Sequence, residues 1–580
     1  MQTAVRSSRW LALVPAVVVA SSTGAETFTV AQDDSGDYAT IQDAIDGASD
    51  GDTITIYAGT YTETIDPSGL AITVQANLDD YGDVIIDGED TRQCLICADE
   101  ETEETVFAGL IFENGASSKG GALVMEGASA IFSFCTFRNS NATGDGGALW
   151  MDGGSPTFDT CTFDNCSAGD DGGAATLNDS NASFVDCTFS ECSAEDDGGA
   201  FEIGGGSPSF ENCLFSSNVA SWTCGAVCSQ LASPSFVGCT FTGCMSVGFN
   251  VGVMGLYSGT DTVEITDCIF FENQAGETGE EDVGVLKISE TVVDLDGCAF
   301  DGNIAASTGA IWISGESSVV TVTDSQFDNH VGGAIVIQTG ELAVSSSGFS
   351  GNSNDGTGGG AVRVNGHSFY APPVASFADS TFANNSARWG GAIYVLGVHG
   401  FPATLDIDGC AITDGSVTGK GAGVYSSNSE TTMTNCELSG NTVSGETSLQ
   451  GGGVYASDGT FDISYTIFSS NSCSSNYGHA VMISSGCDMT LTSVSSCDHA
   501  IDGEIYGDYI DGGDNDLGGW CCPGDVDQDG DVESDDLLSL LEGFGSSSLG
   551  ADDREDCSRD GDVDVEDLLG LLEQWGDCSE

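Results

Sequence analysis

Two clusters of side-chain oxygens near the C-terminus are spaced as ligands for a hard cation. Asp525, Asp527, Asp529, Asp531, Glu533 and Asp536 fall at places 1, 3, 5, 7, 9 and 12 of a twelve-residue loop. Carboxylates at those places, with the backbone carbonyl of place 7, can wrap an ion such as Ca²⁺, and Gly530 at place 6 permits the sharp turn. The pattern returns 31 residues later with Asp556, Ser558, Asp560, Asp562, Asp564 and Asp567, and Gly561 at the turn. Ser558 replaces an acid, so the second loop should bind more weakly. Leu537, Leu538, Leu540 and Leu541 follow the first loop and Leu568, Leu569, Leu571 and Leu572 the second, each set an apolar helix face. Without the ion the clustered acids repel each other, so residues 520–580 are expected to fold on calcium.

Two further sets could do chemistry. Asp170-Asp171 and Asp196-Asp197 stand at one repeated turn with Asp145 nearby. Paired carboxylates can serve as acid and base, but a repeated loop place reads better as a solvated turn or a Ca²⁺ site. The second set is a column two residues after a strand's Ala or Gly: Trp150, Trp312, Arg363, Tyr394, Tyr425 and Tyr455. The preceding residues, Leu149, Ile311, Val362, Ile393, Val424 and Val454, are aliphatic and should face inward, so alternation turns the column outward. Trp312, Tyr394, Tyr425 and Tyr455 are the candidate ligand-binding residues, because aromatic rings with a polar tip suit sugars. The opposing expectation is that they only stabilise the sheet surface.

What must position these residues is a repeat. Cys135, Cys161, Cys187, Cys213 and Cys239 are 26 apart, as are Phe137, Phe163, Phe189, Phe215 and Phe241, and Gly121, Gly147, Gly173, Gly199 and Gly225. A fixed period of this size marks a solenoid. The unit is too short and too rich in Gly and β-formers for a helical repeat. Within it, Gly146–Met151 reads as a strand, Asp152–Pro156 as a turn and Thr157–Phe163 as a second strand. The fold class is therefore all-β: a right-handed parallel β-helix over residues 26–519, of about 17–19 coils at ~4.8 Å each. Asn218, Asn303, Asn352, Asn385, Asn441 and Asn471, three residues after their Phe or Leu, are expected to take left-handed turn conformations. The open end of such a solenoid needs a cover, and Ile41, Ala44 and Ile45 lie at helical spacing for an N-terminal cap helix.

Composition bounds the rest. Residues 1–25 have the marks of a secretory signal peptide: Arg6 and Arg9, an apolar run from Leu11 to Ala20, then Thr23-Gly24-Ala25. No later apolar run is long enough to span a membrane, so the expected location is extracellular or at the cell surface. The net charge is −80, which excludes nucleic acid as a partner and favours a neutral polysaccharide over an acidic one. The 23 cysteines fit an oxidising compartment, and their odd number leaves at least one unpaired within the chain. Ladder neighbours such as Cys161 and Cys187 could be bridged between coils or stay buried thiols.

The stretch from Val30-Ala31-Gln32-Asp33-Asp34 to Gly59-Thr60-Tyr61-Thr62-Glu63 resembles the entrance of the pectin lyase-like superfamily. Gly390-Gly391-Ala392-Ile393 and Phe382-Ala383-Asn384-Asn385 resemble polymorphic outer-membrane-protein repeats. The two loop-helix units at the C-terminus resemble a dockerin, a calcium-binding EF-hand-like domain. That resemblance implies a cohesin-like or other cell-surface protein as partner, chosen at loop places 10 and 11, here Ser534-Asp535 and Val565-Glu566. Two functions fit these features. One is a secreted, non-enzymatic adhesion, carbohydrate-binding or structural solenoid with a calcium-dependent docking domain. The other is a polysaccharide lyase or glycoside hydrolase on the pectin lyase fold, although Arg92, Arg138, Arg363 and Arg388 sit in no catalytic motif.

Overall fold

The computed structural model describes residues 24–77, 82–248, 251–276, 282–445, 450–474, 478–497, 505–513 and 515–517, with 531–532, 537, 541 and 576–577 beyond them. One coil shows the plan. Strands Leu149–Asp152, Thr157–Asp159, Thr162–Asp164 and Ser167–Ala168 follow one another around the axis. Each pairs in parallel with its equivalent one coil on: Leu149 with Ala175, Phe158 with Phe184, Phe163 with Phe189, Ala168 with Ala194. The wall that holds Phe163 contains eighteen described strands, from Gly59–Tyr61 to Asp516–Leu517.

The segment from Thr157 to Phe163, expected as one strand, is two. Thr160 takes φ 53° between them, and Asn165 at φ 52° makes the next corner. Both are left-handed turns that L-residues adopt at a cost. They recur coil after coil, as at Asp186 and Asn212, so the cost is met by closing the wall. The corner points Phe158 and Phe163 at each other across the interior, with ring centres 5.8 Å apart at 61°. Each also stacks on its equivalent in the next coil, Phe158 on Phe184 at 4.9 Å and Phe163 on Phe189 at 5.0 Å. Two phenylalanine ladders thus fill the core, each stacked pair adding about 0.5–1.5 kcal/mol beyond burial.

The asparagines expected in left-handed turns are not there. That conformation belongs to the residue before, as at Asn384 (φ 56°) and Ser217 (φ 56°). The following asparagine turns inward and is buried. Asn352 donates Nδ2–H to the Phe327 carbonyl at 2.8 Å, while its backbone N–H reaches Asn385 Oδ1 at 3.0 Å. The amide repeats each coil and satisfies the polar backbone at the corner, which a buried turn requires.

A short helix, Ile41–Gly47, lies at the N-terminal end and buries Ile41, Ala44 and Ile45. Thr40 caps it, and Glu63 accepts the N–H groups of Ile41 and Gln42 at 3.0 and 2.9 Å. No described helix is long and apolar enough to cross a membrane. The ladder cysteines, Cys161 and Cys187 among them, are stacked thiols. Of the two calcium loops, Asp525, Asp527, Asp529, Glu533, Asp536, Asp556, Ser558, Asp560, Asp562, Asp564 and Asp567 lie outside the described residues. Asp531–Val532 is described as backbone only and pairs antiparallel with Gly576–Asp577.

Candidate functional site

One column carries most of the unusual side chains. Strand register lines up Trp150, Thr176, Glu202, Cys228, Gly255 and Lys287, then Trp312, Val336, Arg363, Tyr394, Tyr425 and Tyr455. Their inward neighbours, such as Leu149 and Ile393, are fully buried in the core. The column therefore faces away from the axis, as alternation requires.

Facing outward does not expose it. The loop that precedes each strand folds back over the column. Thr176 Oγ1 donates to the Asp171 carbonyl at 3.1 Å, and Lys119 Nζ stands 3.2 Å over the Trp150 ring. Lys420 Nζ donates to the Tyr455 hydroxyl at 2.8 Å and lies 4.0 Å from that ring's centre. Trp312 is 2% exposed and Tyr455 4% exposed. Tyr394 and Tyr425 are half-buried. The rings do stand in line, Tyr394 on Tyr425 at 4.9 Å and Tyr425 on Tyr455 at 5.2 Å, nearly parallel. Stacking along the axis occupies the facing sides of these rings, so Tyr394 and Tyr425 present their edges. Trp312 packs instead with Val283 and Val336 in a small apolar cluster.

The acids at the repeated turn converge. Asp145, Asp170 and Asp171 each bring an oxygen within 4.8 Å of the others. The Asp197 N–H donates to Asp171 Oδ1 at 2.9 Å. Glu202, in the column, adds a fifth carboxyl beneath them. Its Oε2 and the Oδ1 of Asp197 are buried atoms with no hydrogen-bond partner. Burial, then the Asp171 charge, pushes the Glu202 carboxyl up to about 8. Burial and the Asp196 charge push Asp197 up to about 6. Burial first and neighbouring acids second raise Asp145 and Asp171 as well. Such a shelf either shares protons or holds a cation whose charge offsets the repulsion. Asp66, Asp99 and Glu101 form a second oxygen group of the same size.

Glu202 is the residue that sequence reasoning missed. Its signal was available: it lies four residues after Gly198, the relation that Thr176 has to Gly172. It is the one acid among the column residues named above.

The family described as "Right handed beta helix region" matches residues 93–255 and 360–503, more than half of the chain. The chain belongs to that family. No curated protein sequence matches it. Among solved structures, a pectin methylesterase from carrot aligns at 15% identity over 57% of this chain and 85% of that one, with a TM-score of 0.22. A mannuronic acid-specific polysaccharide family 6 lyase from human gut microbiota aligns at 12% identity over 84% and 92%, with a TM-score of 0.28. The A-module of a mannuronan C-5 epimerase from Azotobacter vinelandii aligns at 10% identity over 82% and 93%, with a TM-score of 0.26.

Proposed function

We propose that this chain is a secreted, non-enzymatic scaffold: a long β-helical rod whose C-terminal tail folds on Ca²⁺ and docks onto a cohesin-like or other cell-surface protein. One observation carries the rod. The stacked ring ladder passes through coil after coil in register, from Phe112 on Phe137 to Phe349 on Phe382, and strand pairing extends it to Phe468. A coil recruited for catalysis would be expected to give up ladder residues to build a cleft. The column with the reactive side chains is instead covered by its own loops. The tail contributes the docking chemistry through its two acidic loops, 31 residues apart.

The test uses the full chain. Binding to cell-surface protein extracts is measured in Ca²⁺ and in chelator, alongside product analysis on a panel of neutral and acidic polysaccharides. Calcium-dependent capture without sugar products supports the scaffold. Turnover of any glycan overturns it.

A second reading, a polysaccharide-active enzyme, has one observation in its favour. Asp197 and Glu202 are adjacent carboxyls with raised and separated proton affinities, a pattern found where acid and base roles are divided. In that case Glu202→Gln abolishes turnover on the same panel.

A further inference from the structure

The loop that covers the outward column ends, just before the strand, with a residue in the left-handed region. In the coils before residue 224 that place is Gly120, Gly146, Gly172 and Gly198, with φ between 59° and 70°. In the next coil it is Cys224, at φ 58°. A side chain there is strained, and it is also crowded. A Cβ added to Gly120 would lie 2.9 Å from Val124 Cγ2, the side chain four residues on. A side chain at this place can therefore meet the one four residues on. At the equivalent Gly478, an added Cβ would stand 3.1 Å from Met482 Cβ, close to the ~3.5–4.5 Å that a disulfide spans between its Cβ atoms.

Four residues after Cys224, at the column place, is Cys228. The residue beside Cys228 in the following coil is Gly255, which leaves room for two neighbours: a Cβ on Gly255 would be 2.6 Å from Tyr257 Cε2 and 2.7 Å from Cys224 Sγ. Both cysteines are buried and are free thiols in this structure, and Val251 and Tyr257 close over them. The coil has given up the glycine that its predecessors use, accepted backbone strain and emptied the neighbouring column place. All three changes fall where residues 224 and 228 meet.

We propose that Cys224 and Cys228 are joined by an intrachain disulfide that clasps the covering loop to the sheet. Two thiols lose two protons and two electrons and form one S–S bond. The electrons pass by thiol–disulfide exchange to a low-molecular-weight disulfide such as oxidised glutathione, which leaves as two thiols. Because the folded pair is buried, exchange takes place before the loop closes. The inner ladder cysteines, Cys213 and Cys239 among them, belong to different coils, and the clasp leaves them as thiols.

The test is a mass measurement on the full chain, refolded in glutathione buffer, denatured, alkylated and cleaved before aspartate. The peptide from Asp197 to Thr260 carries Cys213, Cys224, Cys228, Cys239 and Cys244. The expected product has three labels, is lighter by two hydrogens, and resists fragmentation between Cys224 and Cys228. Reduction before labelling should raise the count to five. Cys224→Gly, which restores the residue of the preceding coils, should take four labels under every condition. Five labels on the unmutated chain after oxidative refolding, or a bond placed on any other pair, overturns the clasp whether or not the variant folds.

Discussion

Asn303 donates its backbone N–H to Nδ1 of His330 at 3.3 Å, where neighbouring rungs use an asparagine oxygen. The imidazole is fully buried and its Nε2 has no partner. An asparagine's Nδ2 would reach the preceding coil's carbonyl, as Asn303 does to Phe270 at 2.9 Å. Burial holds the His330 proton affinity down, from 6.5 to about 4. The unfolded chain therefore binds the proton first. Stability from this site is complete above pH 6.5 and is lost as pH falls towards 4, by roughly 3 kcal/mol. His330→Asn should raise stability at pH 7 by about 1 kcal/mol and remove that acid-side loss, as read by denaturant midpoints between pH 4 and 7.

Phe189→Ala should be among the costliest single changes. Its ring stacks on Phe163 at 5.0 Å and Phe215 at 4.9 Å and meets the edge of Phe201 at 4.7 Å. Truncation removes these contacts, and those with Phe184 and Phe210, and leaves a cavity that a ladder cannot collapse, at about 3–5 kcal/mol. The neighbouring Thr188→Ala, on the outward side of the same strand, should cost within about 0.5 kcal/mol. Equal losses in urea unfolding would contradict the ladder's role.

The period of Phe163 and its equivalents was enough to give the coil, the parallel stack and the inward face. The second ladder, Phe132, Phe158, Phe184 and Phe210, keeps the same spacing and could have been read equally well. The buried asparagines were legible in place but not in role. Whether an amide stays in the turn or turns inward is decided by the residue before it, which takes the left-handed angle. The sealed column was not legible at all. Alternation gives the side of the sheet on which Tyr455 lies, but not the loop that covers it.

The acidic shelf makes the opposite pH prediction. Glu202 titrates near 8 in the fold, against a model-compound value of 4.5. Between those limits the folded chain keeps a proton that the unfolded chain has released. Stability from this group is therefore present below pH 4.5 and is lost as pH rises to 8. Glu202→Gln should flatten that decline, measured in chelator so that no cation supplies the missing charge. An unchanged slope would show that a neighbouring acid carries the proton.

The calcium loops should respond unequally. Asp525 offers a carboxylate at the first place of its loop, whereas Ser558 offers only a hydroxyl at the third place of the other. Asp525→Ala should lower calcium affinity by tenfold or more, while Ser558→Ala changes it by no more than about threefold, on the scale of charged against neutral oxygen contacts. Calorimetric titration of the full chain, after calcium removal, gives both values.

The tyrosine stack tests structure against recognition. Tyr425 lies between Tyr394 and Tyr455, so Tyr425→Ala removes two stacked contacts at once. The expected loss is about 1–3 kcal/mol of stability. Tyr425→Phe keeps the stack and loses only the hydroxyl, so it should cost about 1 kcal/mol or less. Because the ring faces are taken by each other, neither change should alter retention on a neutral-glycan affinity column. A Tyr425→Ala protein that melts like its parent but no longer binds glycan would reverse the assignment. The rings would then meet the sugar by their edges and hydroxyls.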